Sequence, residues 1–101
     1  MVSELKKNSS RLILESIIGC KWSLGVIDSI RQKVIRPGEM KRFIPGISEK
    51  VLNERLKKLV RFKLVIRKIF PVSPPRVEYR FTAKGRRFLK ILDALDEFSK
   101  S

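Results

Sequence analysis

Apolar positions recur at helical spacing in several stretches of the chain and change to a period of two in one. Residues 10–18 carry Leu12, Ile13, Leu14, Ile17 and Ile18, predicting a helix apolar over so wide a face that it should be buried on more than one side. Over residues 21–35, Trp22, Val26, Ile27, Ile30 and Val34 fall three and four apart, predicting a second amphipathic helix that Arg36-Pro37-Gly38 stops. Residues 39–44 allow about a turn and a half before Pro45-Gly46 breaks the chain again. Ser48 then stands where an N-cap would, and Glu49 suits the positive end of a helix dipole. Val51, Leu52, Leu56, Leu59 and Val60 make an apolar stripe, so a helix is expected over 48–62.

Beyond Phe62 the pattern alters. Residues 64–70 (LVIRKIF) are β-branched and aromatic, residues 71–75 hold three prolines, and Val77, Tyr79 and Phe81 alternate with Glu78 and Arg80. Two antiparallel strands joined by a proline-rich loop fit best. Thr82 can cap a last helix over 83–99, whose Phe88, Leu89, Ile91, Leu92, Leu95 and Phe98 cover a broad apolar face. The expected fold is mainly α with a small β-hairpin, in the order of a winged helix-turn-helix: a three-helix core plus wing, with N- and C-terminal helices outside it.

With 101 residues the chain has room for one domain. Its 24 Lys and Arg against 10 Asp and Glu give a net charge of +14, which makes polyanions the default partners. The excess is concentrated. Residues 31–90 hold 19 basic side chains against Glu39, Glu49, Glu54 and Glu78, while the other 41 residues sum to −1. A central basic module is therefore flanked by two near-neutral, apolar ends. The absence of His removes Ser-His-Asp chemistry and His metal sites, and a single Cys forbids an internal disulfide. Asp93, Asp96 and Glu97 are spaced for solvation rather than as an acid and base pair, so neither an enzyme nor a bound metal or cofactor is expected. No apolar run approaches the roughly 18 to 20 residues of a membrane span, and no basic segment has a spare apolar anchoring face. A cytoplasmic, nucleoid-associated protein that does not bind membranes is the expectation.

On a helical wheel of 48–62, Leu52, Leu56 and Leu59 face the core and turn Lys50, Asn53, Glu54, Lys57 and Arg61 outward. A helix fits the major groove, where Lys bonds guanine O6 and N7 and an Asn amide pairs with adenine N6 and N7. Lys50 and Asn53, with Ser48 and Glu54 beside them, are the base-reading candidates. Arg55, Lys57 and Arg61, together with Lys41 and Arg42 of the short helix, are candidates for phosphates, which fix register without reading sequence. The same side chains would also serve as the wet side of a surface helix. Arg76, after Ser73-Pro74-Pro75, is expected at the hairpin tip, either clamping a phosphate or entering a minor groove, or else paired with Glu78.

The strings GCKW (19–22), PGISEKVLNERLKKL (45–59), PPRVEYRFTAKG (74–85) and LDAL (92–95) together resemble the HxlR-type transcriptional regulators, winged-helix proteins allied to the MarR group. The likeness extends from about Ser9 onward. It implies a homodimer on double-stranded DNA, with the 48–62 helix in the major groove and the hairpin, 70–78, as the wing on the minor groove or backbone. Residues 1–8 would then be a flexible tail, 36–82 the DNA-reading unit, and 9–20 and 83–99 the dimerisation helices, with Leu12, Ile13, Leu14, Ile17, Phe88, Leu92, Leu95 and Phe98 at the seam. Two half-sites about one helical turn apart, or a multiple, are expected. Many members carry a sensor Cys about a dozen residues before the Trp; here that region reads Asn8-Ser9-Ser10-Arg11, and Cys20 replaces the second Gly before Lys21-Trp22. Cys20 is expected to be a small buried filler with no evident thiolate stabiliser beyond Lys21, the alternative being a reactive or intersubunit-bridging thiol. The alternative reading of the whole chain is an architectural protein that coats DNA without sequence preference.

Overall fold

A computed structural model describes residues 10–18 and 20–100. The elements follow in the order α1 (Ser10–Ile18), α2 (Lys21–Arg31), α3 (Pro37–Phe43), α4 (Glu49–Arg61), β1 (Val65–Phe70), β2 (Arg76–Phe81) and α5 (Ala83–Lys100). This is a winged helix-turn-helix with a two-stranded antiparallel hairpin. Residues 1–8, expected to form a tail, lie outside the described residues.

The helix-turn-helix is set by local chemistry. Ser48 caps α4, its Oγ accepting the Val51 N–H at 3.1 Å, and Gly46 takes φ +80° in the turn that separates α3 from α4. Leu52, Leu56 and Leu59 from α4 join Val26 and Ile27 of α2 and Met40 of α3 in one core. Thr82 caps α5 as expected: its Oγ1 accepts the Gly85 N–H at 2.9 Å and donates back to the Lys63 carbonyl at 2.6 Å. Gly85 is required there, because a Cβ would collide with the Leu64 carbonyl.

Two expected boundaries move. The second helix ends at Arg31 rather than 35, in a Schellman turn: the Lys33 N–H bonds Ile30 O, the Val34 N–H bonds Ser29 O, and Lys33 adopts φ 67°. Lys63 at φ 63° closes α4 by the same pair of bonds, to Val60 and Leu59. Val34 and Ile35 are thereby freed from the helix, and the Ile35 carbonyl accepts the Tyr79 N–H at 2.9 Å, a single rung along the outer edge of β2. Pro37 does not only stop what precedes it. It opens α3 from the first helical position, where its missing N–H costs nothing, so that helix starts two residues before the expected 39.

The strands pair Val65 with Phe81 through to Phe70 with Arg76. Arg76 is consequently not the tip: it begins β2, and the exposed tip is the uncharged run 71–75. The two outer helices differ in what they bury. Ile13, Ile17 and Phe88, expected at a subunit seam, are 7%, 0% and 6% exposed inside this chain's own core and cannot present a surface to a partner. Leu92 is half-buried, whereas Leu95 and Phe98 face outward; the side chains of Leu12 and Leu14 lie outside the described residues. The α5 helix runs past the core, and the molecule measures 50 × 31 × 24 Å with a radius of gyration of 14.5 Å, against about 13 Å for a compact chain of this size.

Candidate nucleic-acid interface

The geometry of α4 sorts the candidate residues into two rows. Lys50, Asn53, Glu54, Lys57 and Arg61 are all exposed, opposite the buried Leu52, Leu56 and Leu59, and Ser48 and Glu49 are exposed at the N-terminal end. Lys41 and Arg42 are likewise exposed on α3. Arg55 departs from this grouping. It belongs to a half-buried row with Val51, Lys58 and Phe62 that faces the α1–α2 junction. The Lys58 Nζ donates to the Ser16 carbonyl at the end of α1 at 2.8 Å, while Arg55 Nε is buried and makes no hydrogen bond. An outward phosphate-contacting role therefore suits Lys57 and Arg61 but not Arg55.

That junction changes the reading of Cys20. The residue is the N-cap of α2, and its Sγ accepts the Ser23 N–H at 3.4 Å. Partial burial pushes the thiol up, but the Ser23 backbone N–H together with the nearby Ser23 hydroxyl, the Arg55 guanidinium and the Lys58 charge outweigh it and lower the pKa from 9.0 to about 7. The stabilisers come from α2 and α4, not from Lys21, whose ammonium lies 4.9 Å from the Trp22 ring. No local pattern around position 20 announces residues 55 and 58, so the sequence around the thiol carries no such signal.

On the hairpin, the Arg76 guanidinium lies over the Phe70 ring at 4.6 Å and its Nε is 3.1 Å from Glu78 Oε2. The pairing with Glu78 weighed from the sequence is present. Sequence reasoning missed Arg36 and Arg80, which approach the same carboxylate at 4.0 and 2.9 Å. The alternation Arg76-Glu78-Arg80 was the available signal, since residues two apart share a strand face. An open groove of about 640 Å³ separates the start of α3 from the hairpin loop and is lined in part by Arg36, Arg42 and Arg76. Among the described residues no helix is long and apolar enough to cross a membrane.

The sequence pattern of the HxlR-like helix-turn-helix family matches residues 17–101. The chain is 40% identical over 83 residues to an uncharacterised HTH-type transcriptional regulator of Methanothermobacter thermautotrophicus, covering 82% of this chain but only 63% of that relative's own length. It is 35% identical over 104 residues to a protein named as the regulatory protein MalR of Fusobacterium mortiferum, covering 99% and 98% of the two chains. A solved MarR-family regulator from Enterococcus faecalis superposes with a TM-score of 0.80 at 35% identity, over 94% of this chain and 86% of that one.

Proposed function

The chain belongs to the HxlR-like helix-turn-helix family, and from that premise we propose that it regulates transcription as a homodimer that reads a specific double-stranded DNA sequence. The observation that carries this reading is the outward row of α4. A capped helix with a leucine-packed back presents Lys50 and Asn53 near its N-terminus and Lys57 and Arg61 further along, next to a basic hairpin. In the major groove, Lys50 and Asn53 read base edges, with Ser48 and Glu54 at the same surface. Lys57, Arg61, Lys41 and Arg42 meet phosphates, and the hairpin lies on the backbone or the adjacent minor groove. The relatives above carry the names of regulators, not of enzymes, and nothing in the row resembles a paired acid and base.

Dimerisation is supported by an apolar stripe on α5. Ile91, Leu95 and Phe98 are 45%, 43% and 78% exposed at helical spacing, and beside them lies a shallow groove to which Ile18, Leu24 and Leu92 contribute. A second copy of the same helix would cover both.

Fluorescence anisotropy tests the proposal, with a duplex from upstream of the protein's own gene and a shuffled duplex at about 50 and 200 mM salt. A preference of about a thousandfold at the higher salt, with two protomers per duplex, is expected. Equal affinities that collapse together with salt would instead favour the architectural reading, to which the net charge of +14 lends support.

A further inference from the structure

A carboxylate on a surface that meets a polyanion weakens binding, yet Glu78 sits midway along β2 in the basic module and is 6% exposed. Its surroundings explain the placement. Oε1 accepts from Arg80 Nη2 at 2.9 Å. Oε2 lies 3.1 Å from Arg76 Nε, off line for a hydrogen bond, and 4.0 Å from Arg36 Nε. Residues 76, 78 and 80 share one face of the strand, Lys68 stands opposite Glu78 in register on β1, and Arg36 reaches across from the segment before α3. The three arginine side chains keep 46%, 40% and 54% of their surface while the carboxylate they surround keeps 8%. The negative charge is covered and the positive ends face outward.

Three guanidiniums this close would repel and disperse without a counter-charge. A buried carboxylate holds them in fixed rotamers, so less side-chain entropy is lost when they meet a ligand. The groove beside them, between α3 and the hairpin loop, takes further positive charge from Arg42.

We propose that Glu78 is a positioning residue that gathers Arg36, Arg76 and Arg80 into one binding site for the phosphodiester backbone of duplex DNA on the β2 side of the hairpin, next to its loop. The inference rests on the duplex-binding part of the reading above and not on its sequence specificity. It makes a prediction of unusual sign. Removing a negative charge should tighten binding to a polyanion, but removing this one should loosen it.

The test uses the full chain and a duplex of arbitrary sequence, with affinity measured across a salt series for wild type, Glu78→Gln and Arg80→Gln. Glu78→Gln is expected to bind about tenfold more weakly near 0.1 M salt, with a log–log salt slope shallower by about 0.9 for each phosphate no longer neutralised. Loss of fold alone would not produce a shallower slope in a protein whose thermal midpoint shows it still folded. Binding as tight as wild type or tighter, with an unchanged or steeper slope, overturns the proposal. Should Glu78→Gln not fold, Arg36→Gln, Arg80→Gln and their double variant decide. If one carboxylate orders both arginines, the double variant weakens binding by less than the product of the single effects; independent effects overturn the role of Glu78. Inorganic phosphate added at constant ionic strength should not displace the duplex, and displacement would make this a free-anion site instead. A wild type that binds no duplex overturns this inference and the functional reading together, whereas one that binds without sequence preference overturns only the operator-reading claim.

Discussion

Arg31 on α2 holds Asp93 on α5 through a single guanidinium nitrogen, Nη2, which lies 2.7 and 2.8 Å from the two carboxylate oxygens. The pair spans 62 residues of sequence and ties α2 to α5 where that helix runs past the core, so it bears on the angle at which α5 leaves. Both side chains are well exposed, so the pair contributes at most about 1 kcal/mol to folding. Its consequence should be geometric. In a dimer joined through α5, that angle sets the distance between the two copies of α4. Asp93→Asn is therefore expected to shift the thermal midpoint by a few degrees or less and to weaken binding to a two-half-site duplex several-fold more than to a single half-site. Equal effects on the two duplexes would remove the coupling.

Substitutions on α4 separate base reading from phosphate contact. Asn53→Ala should cost about 1 to 3 kcal/mol on the preferred duplex and almost nothing on a shuffled one. Lys57→Ala should weaken both equally and make the salt slope shallower by about 0.9. Anisotropy titrations against both duplexes measure the two effects together. A weakening by Asn53→Ala that is equal on both would assign that side chain to the backbone.

The apolar residues of α5 divide between the fold and the proposed seam. Phe98→Lys or Leu95→Lys places a charge where a partner helix would pack and should yield monomers in sedimentation, with the thermal midpoint of the monomer little changed. Phe88→Ala should instead cost about 3 to 5 kcal/mol of folding stability, because that ring is 6% exposed in the chain's own core. Unaltered sedimentation of both lysine variants would place the dimer contact elsewhere.

What the sequence made legible, and what it hid, follows the range of the forces involved. Ser48 with the Pro45-Gly46 turn bounded α4 to within a residue, and the alternation of Val77, Tyr79 and Phe81 located β2, because both signals are local. The early end of α2 was hidden because Lys33, not a glycine, occupies the left-handed position, and the turn is completed by Ser29 and Val34. Arg55 looked outward by residue type, yet the Ser16 carbonyl of α1 and the Cys20 thiol lie along that flank of α4. Ile13, Ile17 and Phe88 were correctly apolar, but a hydrophobic pattern does not say whether the covering surface belongs to the same chain or to another.

The left-handed lysines allow a direct test of the local energetics. A non-glycine residue at positive φ carries roughly 1 to 2 kcal/mol of strain, part of which glycine gives back through its greater freedom when unfolded. Lys63→Gly should raise stability by about 0.5 to 1 kcal/mol in a denaturant titration. Gly85→Ala, which drives a methyl group into the Leu64 carbonyl, should lower it by about 1 to 3 kcal/mol. A neutral Gly85→Ala would mean that α5 can shift off the hairpin without penalty.

The Cys20 thiol, its pKa lowered from 9.0 to about 7, couples folding to pH. A group whose acidity increases on folding favours the folded state once it is ionised. The stabilisation is thus complete above about pH 9, the unfolded value, and is lost as the pH falls through about 7. Cys20→Ser should remove that pH-dependent increment while leaving the Ser23 N–H capped by a hydroxyl. The alkylation rate of the native thiol should rise with a midpoint near pH 7, and Arg55→Leu should move the midpoint upward by removing one stabiliser of the thiolate. Arg55 lies on the flank of α4 that faces away from the outward row, so the same variant should keep most of its affinity for DNA. A midpoint near 9 in the native protein would show that burial outweighs the Ser23, Arg55 and Lys58 contributions, and the thiol would then be the inert filler its small size implied.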